Sequence, residues 1–194
     1  MQKQPKIPEH IQALLKNSKD KSGIRLDLGC GRKKQPGFIG MDIMPIPGVE
    51  ICHDLEEYPW PLPDKCATTV MASHIIEHIN PARGGMIKFM DEVWRIMKPE
   101  GEFMISLPYG GSPGYWQDPT HCNGVTEVTF AYFDPLAASY AGDRLMNLYT
   151  LYEPAPWKIV KNEYNLLGNM EVLLIKREDD PSYHKYSDNK IHFR

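Results

Sequence analysis

The sequence lacks the features that mark three common classes of protein. Its four cysteines contain no C-x-x-C pair and no regular spacing, which argues against a zinc ribbon or a disulfide framework. No run approaches the roughly 18 apolar residues of a membrane-spanning helix, and the polar residues 1–10 contain no apolar signal core. We therefore expect a soluble, cytoplasmic protein with reduced thiols and no membrane partner.

Charge of one sign is not in excess either. The chain has 22 Lys and Arg against 25 Asp and Glu, for a formal net charge of −3. A broad phosphate-binding surface is therefore not indicated, and nucleic acid is not the partner we expect first. With 42% hydrophobic and 24% charged residues, the 194-residue chain resembles an average globular domain. We predict one domain over residues 1–194, with its core at about 22–176 and a polar C-terminal tail at 177–194.

Short apolar runs alternate with helical patterns along most of the chain. An amphipathic helix is predicted from Ile7 onward and another over 85–97, whereas the proline-rich stretch 58–63 excludes regular structure. Two runs at 157–164 and 170–176 flank Gly168-Asn169 as an antiparallel hairpin. The other predicted strands are 24–28, 38–43, 49–51, 68–73 and 102–107. This order predicts an α/β fold with a Rossmann-like, doubly wound, mostly parallel sheet and a C-terminal antiparallel hairpin.

A glycine turn follows the first predicted strand. In D-L-G-C-G, Gly29 and Gly31 let the backbone approach a ligand that a Cβ would exclude, although such a turn is also common after any buried strand. Asp42 ends the second predicted strand, where doubly wound folds place an acid on ribose hydroxyls. The combination favours a nucleotide-like ligand. A dehydrogenase would carry G-x-G-x-x-G, but Lys34 stands at the position of the last glycine.

Five stretches, in this order, resemble the class I S-adenosylmethionine-dependent methyltransferases, particularly the group related to the ubiquinone-biosynthesis C- and O-methyltransferases. They are LDLGCG (26–31), GMDI (40–43), HDLEEYPWPLPD (53–64), SHIIEHI (73–79) and MDEVWRIMKPEGEFMISLPY (90–109). The resemblance implies S-adenosyl-L-methionine as the cofactor. Lys33 stands near the family's third glycine, and only ten residues separate Gly31 from Asp42. The first crossover helix must therefore be very short or replaced by a loop.

The resemblance also implies cofactor contacts at the ends of four strands. The glycine turn and its acid would hold the methionine part, Asp42 the ribose, and Asp54 with Leu55 the adenine. Two residues at the end of strand four would line the methionine tail. The implied contacts are Asp27, Gly29, Gly31, Asp42, Asp54, Leu55, Ser73 and His74.

Histidines and a carboxylate cluster after the fourth predicted strand. His74, Glu77 and His78 have the spacing i, i+3, i+4, so a helix starting there would project them to one side. H-x-x-E-H is also a protease signature, but that class lacks the glycine turn. The pattern is similar to that of small-RNA terminal 2′-O-methyltransferases, which place E-x-x-E-H and a later histidine around a divalent ion. That similarity implies a metal site of His74, Glu77, His78 and His121, and nitrogen ligands favour a transition metal.

The long loop 108–123 carries His121 and is the predicted substrate side of the site. Without a metal, His121 or His78 is the predicted general base, because a neutral imidazole accepts a hydroxyl proton near neutral pH. The predicted function is methyl transfer to a hydroxyl of a sugar or small metabolite, with or without a divalent ion. An RNA ribose methyltransferase and a non-catalytic nucleotide-binding domain remain the alternatives.

Overall fold

Seven strands form the framework of the molecule, and a computed structural model describes residues 7–17, 23–83, 85–140 and 151–177. The strands are β1 Ile24–Leu28, β2 Ile39–Asp42, β3 Ile51–Cys52, β4 Ala67–Ser73, β5 Met97–Pro108, β6 Trp157–Tyr164 and β7 Asn169–Lys176. They make one sheet in the order β3-β2-β1-β4-β5-β7-β6. Strands β1 to β5 pair in parallel, and β7 is antiparallel to both β5 and β6. The predicted Rossmann-like sheet with its C-terminal hairpin is confirmed.

Two longer helices and several short ones connect these strands. The α-helices are α1 Glu9–Asn17, α2 Gly85–Ile96, α3 Pro113–Trp116, α4 Glu127–Ala131 and α5 Pro135–Tyr140, and 3₁₀ helices cover Ile76–His78 and Pro81–Arg83. Helices α1 and α2 confirm the two predicted helices. Helices α3, α4 and α5 were not predicted, and the four residues of α3 and the five of α4 are too few to show a hydrophobic period. No helix in the described parts of the chain is long and apolar enough to cross a membrane.

The connection between β1 and β2 is a loop. Residues 29–38 contain no helix, which agrees with the short distance between Gly31 and Asp42. The fifth strand was predicted over 102–107, but β5 starts earlier, at Met97, directly after α2. A register shift opposite Ala67 and a positive φ of 59° at Glu100 let the backbone bend inside the strand instead of in a separate turn.

The core lies between the sheet and α2. Phe89 of α2 contacts Trp60 and Phe103, with ring centroids 5.7 Å and 6.4 Å apart, and Phe103 contacts Trp157 at 5.6 Å. All four rings are fully buried. Burying a large apolar side chain contributes about 1.5–3 kcal/mol, so this row of rings fixes α2 and the chain around Trp60 against the sheet. Of the predicted tail 177–194, only Arg177 lies within the described residues.

Candidate cofactor and metal site

The glycine turn at the end of β1 is shaped by two left-handed backbone positions. Gly29 has φ 60° and Gly31 has φ 50°, a region that residues with a Cβ rarely adopt. A Cβ on Gly29 would lie 1.8 Å from Cδ1 of Ile75, so this glycine permits close packing inside the protein. A Cβ on Gly31 would meet no atom within 4 Å. Gly31 therefore faces open space, where a ligand can approach the bare backbone.

A cavity of about 190 Å³ lies beside this turn. Its lining includes Gly29, Asp42, Asp54, Leu55, Ile75 and His78. The parallel strands β1 and β2 end here, which is the edge of doubly wound sheets where ligands bind. The structure thus brings four of the predicted cofactor residues and one predicted metal ligand to the same cavity.

The carboxylates of this cavity also hold the backbone around it. Asp42 accepts the Gly31 N–H on Oδ2 and the Met44 N–H on Oδ1, both at 2.9 Å. Asp54 accepts the Glu56 N–H on Oδ1 at 2.9 Å. Asp42 therefore fixes the glycine turn to the end of β2, in addition to any ligand it binds.

Asp27 does not line the cavity. It is buried, and its Oδ2 accepts the backbone N–H of Gln35 at 2.8 Å, which anchors the loop after the glycine turn. Burial raises the pKa of Asp27, although the hydrogen bond from Gln35 and the charge of Lys34 act in the opposite direction. Burial, and then the charges of Asp27 and Asp42, raise the pKa of Cys30 to about 11.

Trp60 supports the segment that carries Asp54 and Leu55. Its indole Nε1–H donates to the carbonyl of Leu55 at 3.1 Å, and its backbone N–H donates to Oε1 of Glu92 at 2.6 Å. Glu92 in turn is paired with Arg95, which donates to it at 2.9 and 2.7 Å. The proline-rich stretch 58–63 is irregular, as predicted, but it is firmly bonded to α2.

Ser73 and His74 lie apart from the 190 Å³ cavity. Ser73 lines a different hollow of about 370 Å³, together with Gln35, Lys161 and Glu171. His74 has a positive φ of 56°, and its side chain is half exposed, with Nδ1 3.2 Å from Oε1 of Glu77. A contact of Ser73 or His74 with the cofactor stays a prediction.

Three of the four predicted metal ligands converge. A carboxylate oxygen of Glu77, a nitrogen of His78 and a nitrogen of His121 all lie within 4.8 Å of one another. Glu77 is completely buried, and neither of its carboxylate oxygens accepts a hydrogen bond from the described residues, although Nδ1 of His74 lies 3.2 Å from Oε1. A buried carboxylate without such partners is costly unless a cation compensates it. His74 is outside the convergent group, although its Nδ1 lies 3.2 Å from Oε1 of Glu77.

Hydrogen bonds to the backbone bring His121 to this cluster. The N–H groups of Cys122 and Asn123 donate to the carbonyl of Glu77 at 2.8 and 3.1 Å. The Asn123 amide donates to the carbonyl of Ile76 at 3.0 Å, and the Cys122 thiol donates to that of Ile79 at 3.2 Å. Sequence reasoning did not identify Cys122 or Asn123, because bonds to backbone carbonyls leave no residue pattern.

Both imidazoles are oriented through Nδ1. Nδ1 of His121 lies 2.7 Å from the carbonyl oxygen of Tyr115, and Nδ1 of His78 lies 3.0 Å from Oγ1 of Thr120. Thr120 is bonded to Asp118, and these hydrogen bonds lower the pKa of Asp118. Ligands of a metal are commonly oriented in this way through their second nitrogen. Thr120 and Asp118 are further members of the site that the sequence did not reveal.

Comparisons with known proteins agree on the fold. No protein-family model matches the chain, and no curated protein matches it in sequence. A SAM-dependent methyltransferase from Archaeoglobus fulgidus matches in structure with a TM-score of 0.52 and 21% identity, over 87% of this chain and 94% of that chain. The antibiotic-resistance methyltransferase Kmr matches with a TM-score of 0.52 and 13% identity, over 90% of this chain and 100% of that chain.

A third match comes from a complex of the Haloferax volcanii Trm112 methyltransferase activator with a methyltransferase. It has a TM-score of 0.52 and 12% identity, over 87% of this chain and 90% of that chain. Identities this low show similarity of fold. The chain has the α/β fold of the class I S-adenosylmethionine-dependent methyltransferases.

Proposed function

We propose that this chain is an S-adenosylmethionine-dependent methyltransferase that acts on a hydroxyl of a sugar or small metabolite. The convergence of Gly29, Asp42 and Asp54 on one cavity carries the proposal. This cavity lies at the carboxyl ends of parallel strands, in a fold shared with solved methyltransferases. Asp42 would hold the ribose hydroxyls, and Asp54 with Leu55 would hold the adenine.

The reaction is an in-line displacement. When bound, S-adenosylmethionine would supply an electrophilic methyl group to an oxygen of the acceptor, and S-adenosylhomocysteine would be the second product, with the electron pair of the broken carbon–sulfur bond on its sulfur. The cofactor supplies the reactivity, so the protein contributes position and alignment. The hydroxyl proton must go to a base or to water.

A divalent transition metal fits the residues beside the cavity. Glu77, His78 and His121 would hold it, with one carboxylate and two imidazoles as ligands. The buried carboxylate of Glu77, which accepts no hydrogen bond within the described part of the chain, supports a cation at this position. A bound ion would polarise an acceptor hydroxyl and lower its pKa.

The roles of metal ligand and general base exclude each other at one nitrogen. A lone pair that is bound to an ion cannot accept a proton. The metal content of the protein therefore decides between the two roles of His78 and His121. We favour the metal, because a cation here would compensate the buried Glu77 carboxylate more fully than the half-exposed ring of His74, 3.2 Å away.

Cofactor binding is tested by calorimetry with S-adenosylhomocysteine. Wild-type protein is expected to bind it, and Asp54→Asn to bind at least about tenfold more weakly, since a lost hydrogen bond to a charged group costs about 1.5–3 kcal/mol. Glu163→Gln changes an exposed carboxylate on β6 and is the matched control. No binding by wild-type protein, equal binding by Asp54→Asn, or binding of NAD instead would overturn the proposal.

The acceptor is tested by mass spectrometry of a cell extract incubated with the protein and labelled cofactor. A methylated sugar or small hydroxylated metabolite is the expected product. A methylated RNA ribose would replace this acceptor with the RNA alternative. Cofactor binding without any transfer would identify a nucleotide-binding domain.

The metal is tested by elemental analysis of the purified protein after equilibration with Zn²⁺ and desalting. About one equivalent is expected for wild-type protein and for His53→Ala, and much less for Glu77→Gln. His53 is the matched control because its ring lies outside the metal cluster and is hydrogen-bonded to the carbonyl of Glu57. Equal metal content in wild-type protein and Glu77→Gln would end the metal proposal.

A further inference from the structure

The hydroxyl of Thr120 lies between a carboxylate and an imidazole. Oγ1 of Thr120 is 2.6 Å from Oδ1 of Asp118 and 3.0 Å from Nδ1 of His78. Oδ1 of Asp118 also accepts the backbone N–H of Thr120 at 2.8 Å, so the carboxylate holds Thr120 by two hydrogen bonds. The three side chains thus form a chain of hydrogen bonds that ends at His78.

The direction of these hydrogen bonds follows from the number of protons. A threonine hydroxyl has one proton, and an ionised carboxylate has none to donate. Since the hydroxyl donates its proton to Asp118, it can only accept from His78. Nδ1 of His78 must therefore carry a proton, and the neutral ring has its lone pair on Nε2.

We propose that Asp118 and Thr120 are positioning residues that hold neutral His78 in the Nδ1–H tautomer, with Nε2 free for a metal ion or an acceptor proton. The consequence for catalysis rests on the proposed function, but the tautomer itself does not. Thr120 is exposed, so its side chain is not part of the buried core.

His121 is oriented in the same sense by a different group. Its Nδ1 lies 2.7 Å from the carbonyl oxygen of Tyr115, which can only accept a hydrogen bond. Neutral His121 therefore also carries its proton on Nδ1 and its lone pair on Nε2. Nε2 of His121 also lies 3.8 Å from Oδ2 of Asp118. Two imidazoles with the lone pair on the same nitrogen, next to a buried carboxylate, are what a shared ligand or proton acceptor site requires.

The tautomer is measured directly by nitrogen-15 NMR of the histidine rings. The spectra are recorded without cofactor and metal, about two pH units above the ordinary imidazole pKa near 6.5. His78→Ala identifies the His78 signals. The test variants are Thr120→Val, which removes the hydroxyl at nearly constant shape, and Thr120→Ser, which keeps it. Thr69→Val on β4 is the matched control, since Thr69 makes no side-chain hydrogen bond among the described residues.

Wild-type protein, Thr120→Ser and Thr69→Val are expected to show His78 protonated on Nδ1. Thr120→Val is expected to shift His78 toward the Nε2–H tautomer and to weaken Zn²⁺ binding about 10–100-fold. Asp118→Ala is a second variant: it frees the hydroxyl proton, so both tautomers should be populated.

A wild-type His78 protonated on Nε2, or an unchanged tautomer in both Thr120→Val and Asp118→Ala, would overturn this inference. Binding of S-adenosylhomocysteine should stay unchanged in the Thr120, Asp118 and Thr69 variants, because none of these three residues lines the 190 Å³ cavity. Failure of the tautomer test is therefore distinguishable from failure of the proposed function.

Discussion

The imidazole rings of His78 and His121 meet edge to face, with centroids 4.7 Å apart and an angle of 70° between their planes. His78 ends the 3₁₀ helix that follows β4, and His121 lies in the loop that follows β5. Neighbouring parallel strands thus deliver one ring each to the same edge of the sheet. His78 also lines the cavity proposed for the cofactor, so it connects the two halves of the site.

If both rings bind one ion, their contributions to metal affinity must be coupled. His78→Ala and His121→Ala are each expected to weaken Co²⁺ binding strongly, and the double variant to lose less free energy than the sum of the two. Titration with Co²⁺, followed by its visible absorption, measures this. His53→Ala should behave like wild-type protein, and strictly additive losses would speak against a shared ion.

Two glycines of the same turn should respond differently to alanine. Gly29→Ala must move Ile75 as well as strain the backbone, and we expect a loss of about 2–4 kcal/mol of stability from overpacking and the left-handed conformation. Gly31→Ala has open space around its Cβ and should lose only about 1–2 kcal/mol from the backbone. Chemical denaturation measures both losses.

The substitution of Gly31 should also weaken ligand binding. Gly31→Ala is expected to fold and yet bind S-adenosylhomocysteine at least about tenfold more weakly, because its methyl group occupies the space left open for the ligand. Normal affinity in a folded Gly31→Ala protein would mean that the ligand does not approach this glycine.

The strands and the glycine turn were predictable because their signals are local. Ile24–Leu28 is a short apolar run ended by glycine, and the hairpin around Gly168 has a turn between two alternating runs. The clustering of Glu77 with His78 was predictable for the same reason. His74 lies outside the group of Glu77, His78 and His121, because its predicted position requires a helix that starts directly after β4. The 3₁₀ helix starts only at Ile76, and His74 leaves the strand in a left-handed conformation.

The remainder of the site depends on how the long loop folds back. Asn123 and Cys122 bind carbonyls of the 3₁₀ helix, and Thr120 binds the ring of His78. Each of these contacts joins residues that are distant in the sequence. Residue type alone could indicate a histidine in a loop, but not the hydrogen bonds that bring it to Glu77.

A substitution of Trp60 should weaken cofactor binding and leave metal binding unchanged. Trp60→Phe removes the indole donor to Leu55 and leaves a small cavity in the core, so we expect a loss of about 1–3 kcal/mol of stability. Affinity for S-adenosylhomocysteine should fall several-fold, while Co²⁺ binding is retained. Trp116→Phe is the matched control, since Trp116 is 75% exposed. Equal effects of both variants on cofactor affinity would show that Trp60 does not specifically support the cofactor site.

The cysteines should differ widely in reactivity, because the thiolate is the reacting species. Burial raises the pKa of Cys66 to about 12, and burial with nearby carboxylates raises that of Cys30 to about 11. Cys52 is exposed. In a time course with iodoacetamide near pH 8, read by mass spectrometry, Cys52 should be modified first and Cys30 and Cys66 last. Early modification of Cys30 in folded protein would contradict this order.

Asp27 should make stability depend on pH in a direction unusual for a carboxyl group. Burial raises its pKa in the folded state above the ordinary value of about 3.9, so the folded protein binds this proton more tightly than the unfolded chain. Its contribution is therefore most favourable at low pH and declines as pH rises from about 3.9 through the raised folded pKa. Above that window the charged, buried group lowers stability by a constant amount.

Asp27→Asn removes this titration while keeping an oxygen that can accept the Gln35 N–H. The difference in free energy of unfolding between Asp27→Asn and wild-type protein should grow in favour of the variant as pH rises through the window, and then level off. Urea unfolding at several pH values measures it, and Glu163→Gln gives the response of an exposed acid. A difference that is constant with pH would show that burial does not perturb Asp27. If the variant is more stable near pH 7 and also binds S-adenosylhomocysteine more weakly, then Asp27 increases ligand affinity while it lowers the stability of the folded protein.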